Sequence, residues 1–255
     1  SPFWVSYSAI VQLAGGRAVY IKGNITTDFK ATAKQLEDAI TPKTKAVIFS
    51  SPCNPTGSVF EKEELEAIAD VIKKNDLIII ADEIYEHINY TQEHVSIASL
   101  PGMFEHTVTV NGVAKGFAMT GCRVVYIGAP TWIAKGCTKM QGQITSANCS
   151  IAQRAALTAI TGDLGPTHEM TEEYHKRREL VHGLLNDIPG VITNHPKGAF
   201  YFFPDVSSYF GKSYGEYSID NASDLCMYIL MEANVSLVTG QAFGDPNCVR
   251  LSYAA

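Results

Sequence analysis

The feature of this sequence that most constrains its fold is the alternation of short apolar runs with a helical pattern of apolar residues. Residues 77–81 are all apolar, and residues 46–49 form a second, shorter run. Between them, apolar residues recur with the i, i+3, i+4, i+7 spacing of one helix face, at Leu65, Ile68, Ala69 and Ile72. Strands that are apolar throughout are buried on both faces, as in parallel sheets covered by helices. The pattern therefore predicts an α/β fold, with a helix that begins near Glu61.

The rest of the chain continues both patterns and then changes character. The further predicted elements are strands at 108–110, 124–127, 199–203 and 249–253, and helices at 131 to about 160, about 167–185 and 222–233. After Pro189 and Gly190, short strands and helices mix. We expect a three-layer αβα large domain with a mostly parallel sheet over residues 1–174, and a smaller α+β domain over residues 175–255.

The charge balance argues against nucleic acid and membrane partners. The 255 residues include 20 Lys and Arg against 26 Asp and Glu, a net charge of −6, and no basic cluster. No apolar run reaches the roughly 18 residues of a membrane span. The six cysteines contain no C-x-x-C pair, which favours a reduced, cytoplasmic protein. We expect no metal site, because His168, His175 and His182 have the seven-residue spacing of a solvated helix face.

Polar residues follow three predicted strands, at the sheet edge where open α/β folds bind ligands. Asn54 lies in a Pro- and Gly-containing loop after the first run, and Asp82 and Tyr85 follow the second. Lys115 comes shortly after the third strand, and Arg123 directly precedes the fourth. An amide, a carboxylate with a phenol, and an amine at three strand ends exceed what a structural scaffold needs. The sequence therefore predicts a catalytic or ligand-binding site at this edge of the sheet.

Four motifs carry a resemblance to a known family. They are N-P-T-G at 54–57, D-E-I-Y at 82–85, A-K-G-F-A-M-T-G-C-R at 114–123 and V-R-L-S-Y-A at 249–254. In this order and at these separations they resemble the class I aminotransferases, which are pyridoxal-phosphate enzymes of fold type I. Within that family the chain is most similar to the bacterial-type aspartate aminotransferases. The resemblance covers nearly the whole chain.

The resemblance implies a role for each residue that binds the cofactor, pyridoxal 5′-phosphate. Lys115 would hold the cofactor through its amine and then move the substrate α-proton, and Asp82 would keep the pyridine nitrogen protonated. Tyr85 and Asn54 would hydrogen-bond the phenolic oxygen, and Arg123 would bind the phosphate through its planar fork. A solvated lysine, a helix-capping aspartate, a core tyrosine, an Asn-Pro turn and a surface arginine are the structural alternatives.

Two further assignments concern the substrate and the cofactor ring. Arg250 would bind the substrate α-carboxylate together with Asn54, since an arginine between Val249 and Leu251 in an apolar strand indicates a functional role. Trp4 would stack on the pyridine ring, and ordinary core packing is its alternative. The implied catalytic residues are Lys115, Asp82 and Tyr85.

The implied activity is transfer of an amino group from an aspartate-like amino acid to a 2-oxo acid such as 2-oxoglutarate, by a homodimer. Within the fold, an aromatic or alanine-type aminotransferase or a β-lyase is the runner-up. A non-catalytic, effector-binding module of the same fold is the alternative from another class. Retention of Lys115 and Asp82 favours an enzyme.

The sequence also departs from the family pattern. Cys122 stands where relatives usually carry Trp, Val125 stands where Gly is common, and Gly112, Val113 and Ala114 provide no hydroxyl before Lys115. Because family members extend further at both ends, we expect a fragment without the N-terminal part and the C-terminal helix. The absent N-terminal part would include backbone donors to the cofactor phosphate, so we expect the chain alone to be inactive.

Overall fold

The computed structural model describes residues 1–91 and 93–254, which group into two compact units. The first, here called the sheet unit, comprises Thr32–Pro52 and Phe60–Glu172. The second, here called the mixed unit, comprises Ser1–Ala31, Cys53–Val59 and Glu173–Ala255. The two-domain boundary near residue 174 stays a prediction.

The sheet unit contains one four-stranded sheet. Its strands, in spatial as well as chain order, are β1 Ala46–Ser50, β2 Ile78–Asp82, β3 Thr107–Gly112 and β4 Val125–Gly128. The first three are parallel, with Ser50 opposite Asp82 and Asp82 opposite Val110. The fourth runs antiparallel to β3. The predicted strands and the mostly parallel sheet are confirmed, and the carboxyl ends of β1, β2 and β3 meet at one edge.

The helices of the chain are α1 Ser6–Leu13, α2 Ala33–Ala39, α3 Lys62–Lys74, α4 Thr131–Ile144, α5 Ser150–Thr161, α6 Gly165–Asn186 and α7 Ala222–Ala233. Helix α3 confirms the predicted apolar stripe, because Leu65 and Ile72 on that stripe are at most 1% exposed. It begins where the carboxylate of Glu64 accepts a hydrogen bond from the backbone nitrogen of Glu61, at 2.8 Å. The expected starting point of this helix is thus correct.

The single helix predicted from 131 to about 160 is wrong. The structure has two helices there, α4 and α5, and the chain leaves the helical conformation at Thr145, with Ser146 at φ 65°. Neither Gly nor Pro lies in the break. Thr145, Ser146 and Asn148 carry short polar side chains that compete for backbone hydrogen bonds and therefore favour helix ends over helix interiors.

The mixed unit is built from short antiparallel strands and helix α7. One sheet has the order β5-β9-β8, from Tyr201–Phe202, Val249–Ser252 and Val238–Thr239, and a separate hairpin pairs β6 Lys212–Tyr214 with β7 Tyr217–Ile219. The strand predicted at 199–203 is shorter than expected, because Ala199 has a φ of 55°, outside the β region. The other predicted elements of this unit, near 222–233 and 249–253, are confirmed.

Separate apolar cores support the two units. In the sheet unit Ile72, Ile79, Ile88, Ile97 and Met103 are fully buried. In the mixed unit Phe29, Phe203, Phe243 and Cys248 pack together. Burial in this cluster raises the pKa of the Cys248 thiol. Within the described part of the chain, no helix is long and apolar enough to cross a lipid bilayer.

Candidate active site

Lys115 lies on a tight turn that follows β3. The turn is closed by a hydrogen bond from Met119 N to Val113 O, at 3.3 Å, and one from Ala118 N to Lys115 O, at 3.1 Å. The lysine is half-buried, and its Nζ lies 5.8 Å from the centroid of the Tyr85 ring. At this distance the ammonium form is attracted to the ring face. The turn therefore holds the amine at the edge of the sheet, beside a phenol.

The turn from Asp82 to Tyr85 continues β2 at the same edge. Oδ1 of Asp82 accepts a hydrogen bond from Ile84 N at 3.2 Å, and the half-buried carboxylate ends the strand. Tyr85 is only 3% exposed, and its carbonyl accepts from Ile88 N at 2.8 Å. Asp82, Tyr85 and Lys115, which sequence reasoning assigned to one site, thus lie on neighbouring strand ends of one unit.

Gly116, next to Lys115, is required by close packing. A Cβ at this position would lie 2.6 Å from Cδ2 of His87. The His87 ring also packs edge-on against Phe117, with centroids 5.1 Å apart. The segment after Tyr85 is therefore fitted against the turn that carries Lys115.

Arg123 has a different setting from the other predicted cofactor contacts. It is exposed, has a left-handed backbone with φ 54°, and donates from Nη1 to Thr120 O at 2.9 Å. Cys122 beside it is half-buried and packs on the cluster that contains Val113 and Val124, so the departure from Trp at this position fills part of the unit's core. Val125 is 52% exposed.

Arg250 and Asn54 meet in the mixed unit. Nη1 of Arg250 donates to Oδ1 of Asn54 at 2.9 Å, and the guanidinium carbon lies 4.6 Å from the Tyr201 ring centroid and 4.8 Å from that of Phe243. Nε of Arg250 is buried and has no hydrogen-bond partner among the described residues. A buried donor without a partner is uncommon in folded proteins. This region therefore has a fixed guanidinium with donor capacity left for an anion.

The loop that carries Asn54 is itself tightly packed. Cys53 N donates to Ser58 O and Gly57 N donates to Cys53 O, both at 2.9 Å. Gly57 has a φ of 66°, and a Cβ there would lie 2.5 Å from Cβ of Pro196 and 2.8 Å from the carbonyl of Gly198. The glycine of the N-P-T-G motif thus lets the loop approach its neighbours, and Asn54 is held 8% exposed.

Trp4 lies just before α1 in the mixed unit and is 38% exposed. Its ring meets that of Tyr7 edge-on, with centroids 5.5 Å apart. The structure thus leaves part of the indole surface open, and the stacking role assigned to it stays a prediction.

Sequence reasoning missed the residues that support the predicted ones. Glu83 is 4% exposed and accepts hydrogen bonds from His94 and Ser96, at 2.9 and 2.7 Å. Tyr201 and Phe243 enclose the guanidinium of Arg250. The D-E pair at a strand end was a usable signal for Glu83, but no spacing links it to its partners.

Comparison with known proteins shows the class to which the chain belongs. The chain matches the family profile described as Aminotransferase class I and II over residues 1–255. It belongs to this family. As the solved relatives below show, its fold is that of the fold type I aminotransferases.

Curated relatives share similar levels of identity along the whole chain. The bifunctional aspartate aminotransferase and glutamate/aspartate-prephenate aminotransferase of Petunia hybrida is 44% identical over 100% of this chain and 54% of its own length. The aspartate aminotransferase of Geobacillus stearothermophilus is 43% identical over 100% of this chain and 64% of its own length. The chain therefore spans between half and two thirds of the length of these relatives.

Solved structures of aminotransferases also resemble the chain over its whole length. The aspartate aminotransferase from Rhizobium meliloti superposes with a TM-score of 0.95 at 38% identity, covering 100% of this chain and 65% of that one. The aromatic aminotransferase from Pyrococcus horikoshii superposes with a TM-score of 0.93 at 42% identity, covering 100% and 67%. The predicted family and fold class are confirmed.

Proposed function

We propose that the protein containing this chain is a pyridoxal-phosphate-dependent aminotransferase that moves an amino group between an aspartate-like amino acid and a 2-oxo acid such as 2-oxoglutarate. The observation that carries the proposal is the placement of Lys115 beside Tyr85, on the turn that follows the strand next to the one that Asp82 ends. Family membership and the names of the relatives support it.

The donor set of the sheet unit fits this cofactor. The cofactor offers an aldehyde, a pyridine nitrogen, a phenolic oxygen and a phosphate, which call for an amine, a carboxylate, a hydroxyl and a cation. Lys115, Asp82, Tyr85 and Arg123 supply these four groups from one unit. When bound, pyridoxal phosphate supplies an electron sink that stabilises negative charge at the substrate α-carbon.

Each side chain then has a defined task. Lys115 would hold the cofactor and, once the substrate has displaced it, take the proton from the α-carbon at Nζ. The Asp82 carboxylate would keep a proton on the pyridine nitrogen, and the Tyr85 hydroxyl would donate to the phenolic oxygen. Arg123 would bind the phosphate, for which its exposed guanidinium can turn away from Thr120.

Arg250 is the proposed binding group for the substrate α-carboxylate. Its Nη1 is held by Asn54, and the buried Nε lacks a hydrogen-bond partner among the described residues, so a carboxylate can accept from it. The rings of Tyr201 and Phe243 prevent the guanidinium from rotating away. For Trp4 we propose stacking on the cofactor ring, and for Asn54 a share in holding both cofactor and substrate.

Names of relatives also guide the remaining assignments. Several are called aspartate aminotransferases, which favours aspartate as the amino donor over aromatic amino acids or alanine. Because the family is one of enzymes, a non-catalytic effector module is not favoured. We further propose a homodimer and a cytoplasmic location, the latter supported by six free cysteines.

A spectroscopic experiment tests the proposal on the full-length gene product that contains these residues. Bound pyridoxal phosphate should change its absorbance when aspartate is added and recover when 2-oxoglutarate follows. Borohydride reduction followed by mass spectrometry should find the cofactor on Lys115, and Lys115→Ala should abolish the adduct while keeping the melting temperature. Lys135→Ala, in α4, is the matched control and should leave the adduct intact. An adduct on another lysine would refute the assignment.

A further inference from the structure

A buried carboxylate lies next to the proposed cofactor contacts in the chain. Glu83 follows Asp82 at the end of β2 and is 4% exposed. Burying an ionised carboxylate is unfavourable unless hydrogen-bond donors replace the water that it loses. Because Glu83 lies between Asp82 and Tyr85 in the chain, the interactions that hold Glu83 also bear on those two residues.

Both oxygens of Glu83 are used. Oε2 lies 2.9 Å from Nε2 of His94, and Oε1 accepts from the hydroxyl of Ser96 at 2.7 Å. The His94 side chain is itself only 14% exposed. The backbone of Glu83 is fixed as well, since its nitrogen donates to Val110 O at 2.9 Å. Glu83 thus joins the end of β2 to β3 and to the segment that returns at residues 94–96.

The fixed glutamate constrains the residues on either side of it. Its carbonyl accepts from Glu86 N at 2.9 Å, which closes the turn that contains Tyr85. The same turn is braced at its start by the bond from Ile84 N to Asp82 Oδ1. Asp82 and Tyr85 therefore cannot change direction without breaking the interactions of Glu83.

The constraint extends to the lysine. The Tyr85 ring lies 5.8 Å from Lys115 Nζ, and two residues further on His87 packs against Gly116 and Phe117. A shift of the turn would therefore move the ring beside the amine and the imidazole that supports the lysine turn.

We propose that Glu83 is a positioning residue: with His94 and Ser96 as its anchors, it sets the direction in which Asp82 and Tyr85 meet the cofactor. The inference rests on the proposed function of those two residues. Glu83 acts through the turn and touches neither cofactor nor substrate. Its effect is on chemistry and cofactor electronics, since Asp82 and Tyr85 are the groups that polarise the ring.

The same cluster also has the ligand types of a metal site. Glu83, Glu86 and His94 each offer a ligand atom, and these atoms lie within 4.8 Å of one another. The hydrogen bonds favour the positioning role, because both oxygens of Glu83 already accept from His94 and Ser96, and Glu86 lies 3.3 Å from Nε2 of His87. A metal site requires the Glu86 carboxylate as a ligand, whereas the positioning role does not. The experiment therefore tests Glu86 as well.

The test compares Glu83→Gln with Glu86→Gln in the full-length holoenzyme. Glu83→Gln keeps the size and shape of the side chain but puts an amide donor where a hydrogen-bond acceptor is needed. Glu86→Gln removes the same negative charge from a residue at the other end of the turn. For Glu83→Gln we expect kcat with aspartate to fall about 10-fold while KM changes less than about 2-fold. The pH midpoint of the bound cofactor's absorbance should shift by roughly 0.5 unit or more. Glu86→Gln should match the wild type in all three.

Two further sets of variants test the same role, one by retaining the donor to Glu83 and one by removing a single hydrogen bond. His94→Gln retains a donor near Oε2 and should keep more activity than His94→Leu. If Glu83→Gln does not fold, Ser96→Ala removes only one of the two hydrogen bonds and should move the absorbance midpoint in the same direction by a smaller amount.

Three outcomes overturn a claim, and they are distinguishable. A wild-type kcat and absorbance midpoint in Glu83→Gln would overturn the positioning role. Equal losses in Glu83→Gln and Glu86→Gln, with metal found in the wild type by elemental analysis and activity lost on chelation, would replace it with a metal site. Retention of the borohydride adduct in Lys115→Ala would instead refute the proposed function, whatever Glu83 does.

Discussion

The two units hold their polar side chains in place by different interactions. In the sheet unit, Asp82 and Tyr85 are fixed by the turn that Glu83 begins, and both carboxylate oxygens of Glu83 are hydrogen-bonded. In the mixed unit, Arg250 is held chiefly by two aromatic rings, with one hydrogen bond to Asn54 and a buried Nε that has no partner among the described residues.

The difference indicates what each region is prepared to do. A hydrogen-bonded turn defines direction, which matters for groups that must polarise a fixed ring. Aromatic walls restrict a guanidinium without using its donors, so these remain for an incoming carboxylate. We therefore expect changes in the sheet unit to affect the chemical step and changes in the mixed unit to affect capture of the substrate.

The largest effect should follow Asp82→Ala. Without the carboxylate the pyridine nitrogen loses its proton, so we expect the rate of the half-reaction with aspartate to fall about 1,000-fold, or about 4 kcal/mol, with the cofactor still bound but more weakly. Single-turnover stopped-flow absorbance measures it. Asp70→Ala, a 78% exposed side chain on α3, should leave the rate unchanged. A loss below about 10-fold would contradict the electrostatic role.

Arg250→Lys should give the next largest effect. Lysine cannot reproduce the planar bidentate fork of the guanidinium, so kcat/KM should fall about 100-fold, roughly 2.7 kcal/mol, with cofactor affinity unchanged. Steady-state kinetics with dicarboxylic and monocarboxylic amino acids should show equal losses. If only aspartate and glutamate were affected, Arg250 would bind the side-chain carboxylate instead. Arg177→Lys, in the same unit, serves as the control.

The smallest effect concerns Asp28, the mixed unit's counterpart to Glu83. Its Oδ1 accepts from Asn194 at 2.7 Å, but its buried Oδ2 has no hydrogen-bond partner among the described residues. Burial raises its pKa above the ordinary value of 3.8. The folded state then binds the proton more tightly than the unfolded state, so ionisation lowers stability as pH rises through the folded-state pKa.

Asp28→Asn should therefore stabilise the protein at neutral pH by at most about 1 kcal/mol, or roughly 2–4 °C in melting temperature. The gain should shrink as pH falls below the folded-state pKa and vanish below about 3.8. Asparagine also tolerates the left-handed backbone at this position, where φ is 53°. Thermal melts at several pH values, with exposed Asp187→Asn as the reference, check the sign; a lower melting temperature at pH 7 would reverse it.

Local patterns in the sequence were sufficient for much of the fold. The strands β1 to β3 and helix α3 were predictable because burial on both faces or on one stripe leaves a direct trace in apolar spacing. The break between α4 and α5 was not, since neither Gly nor Pro marks it and the preference of Thr145 and Ser146 for helix ends is weak. The strands of the β6–β7 hairpin have three residues each, and only Ile219 among them is buried, so the hairpin leaves no apolar pattern.

The candidate site was predictable only for residues inside family motifs. Lys115, Asp82 and Arg250 stand in such motifs, as does Glu83, whereas Tyr201, Phe243 and His94 do not. Tyr201 reaches Arg250 from a distant point of the chain and Phe243 from the segment between β8 and β9, and His94 reaches Glu83 from a later segment. Such contacts depend on tertiary packing, which periodicity does not encode.

The burial of Cys248 among Phe29, Phe203 and Phe243 has a practical consequence for following motion in the mixed unit. Only a thiolate reacts with alkylating reagents, and burial keeps this thiol protonated by raising its pKa. Cys149 at the start of α5 is exposed, and hydrogen bonds from the backbone nitrogens of Ala152 and Ile151 lower its pKa, so it should react at once. The slow labelling of Cys248 against this fast reference would report transient opening of the mixed unit, without an engineered label.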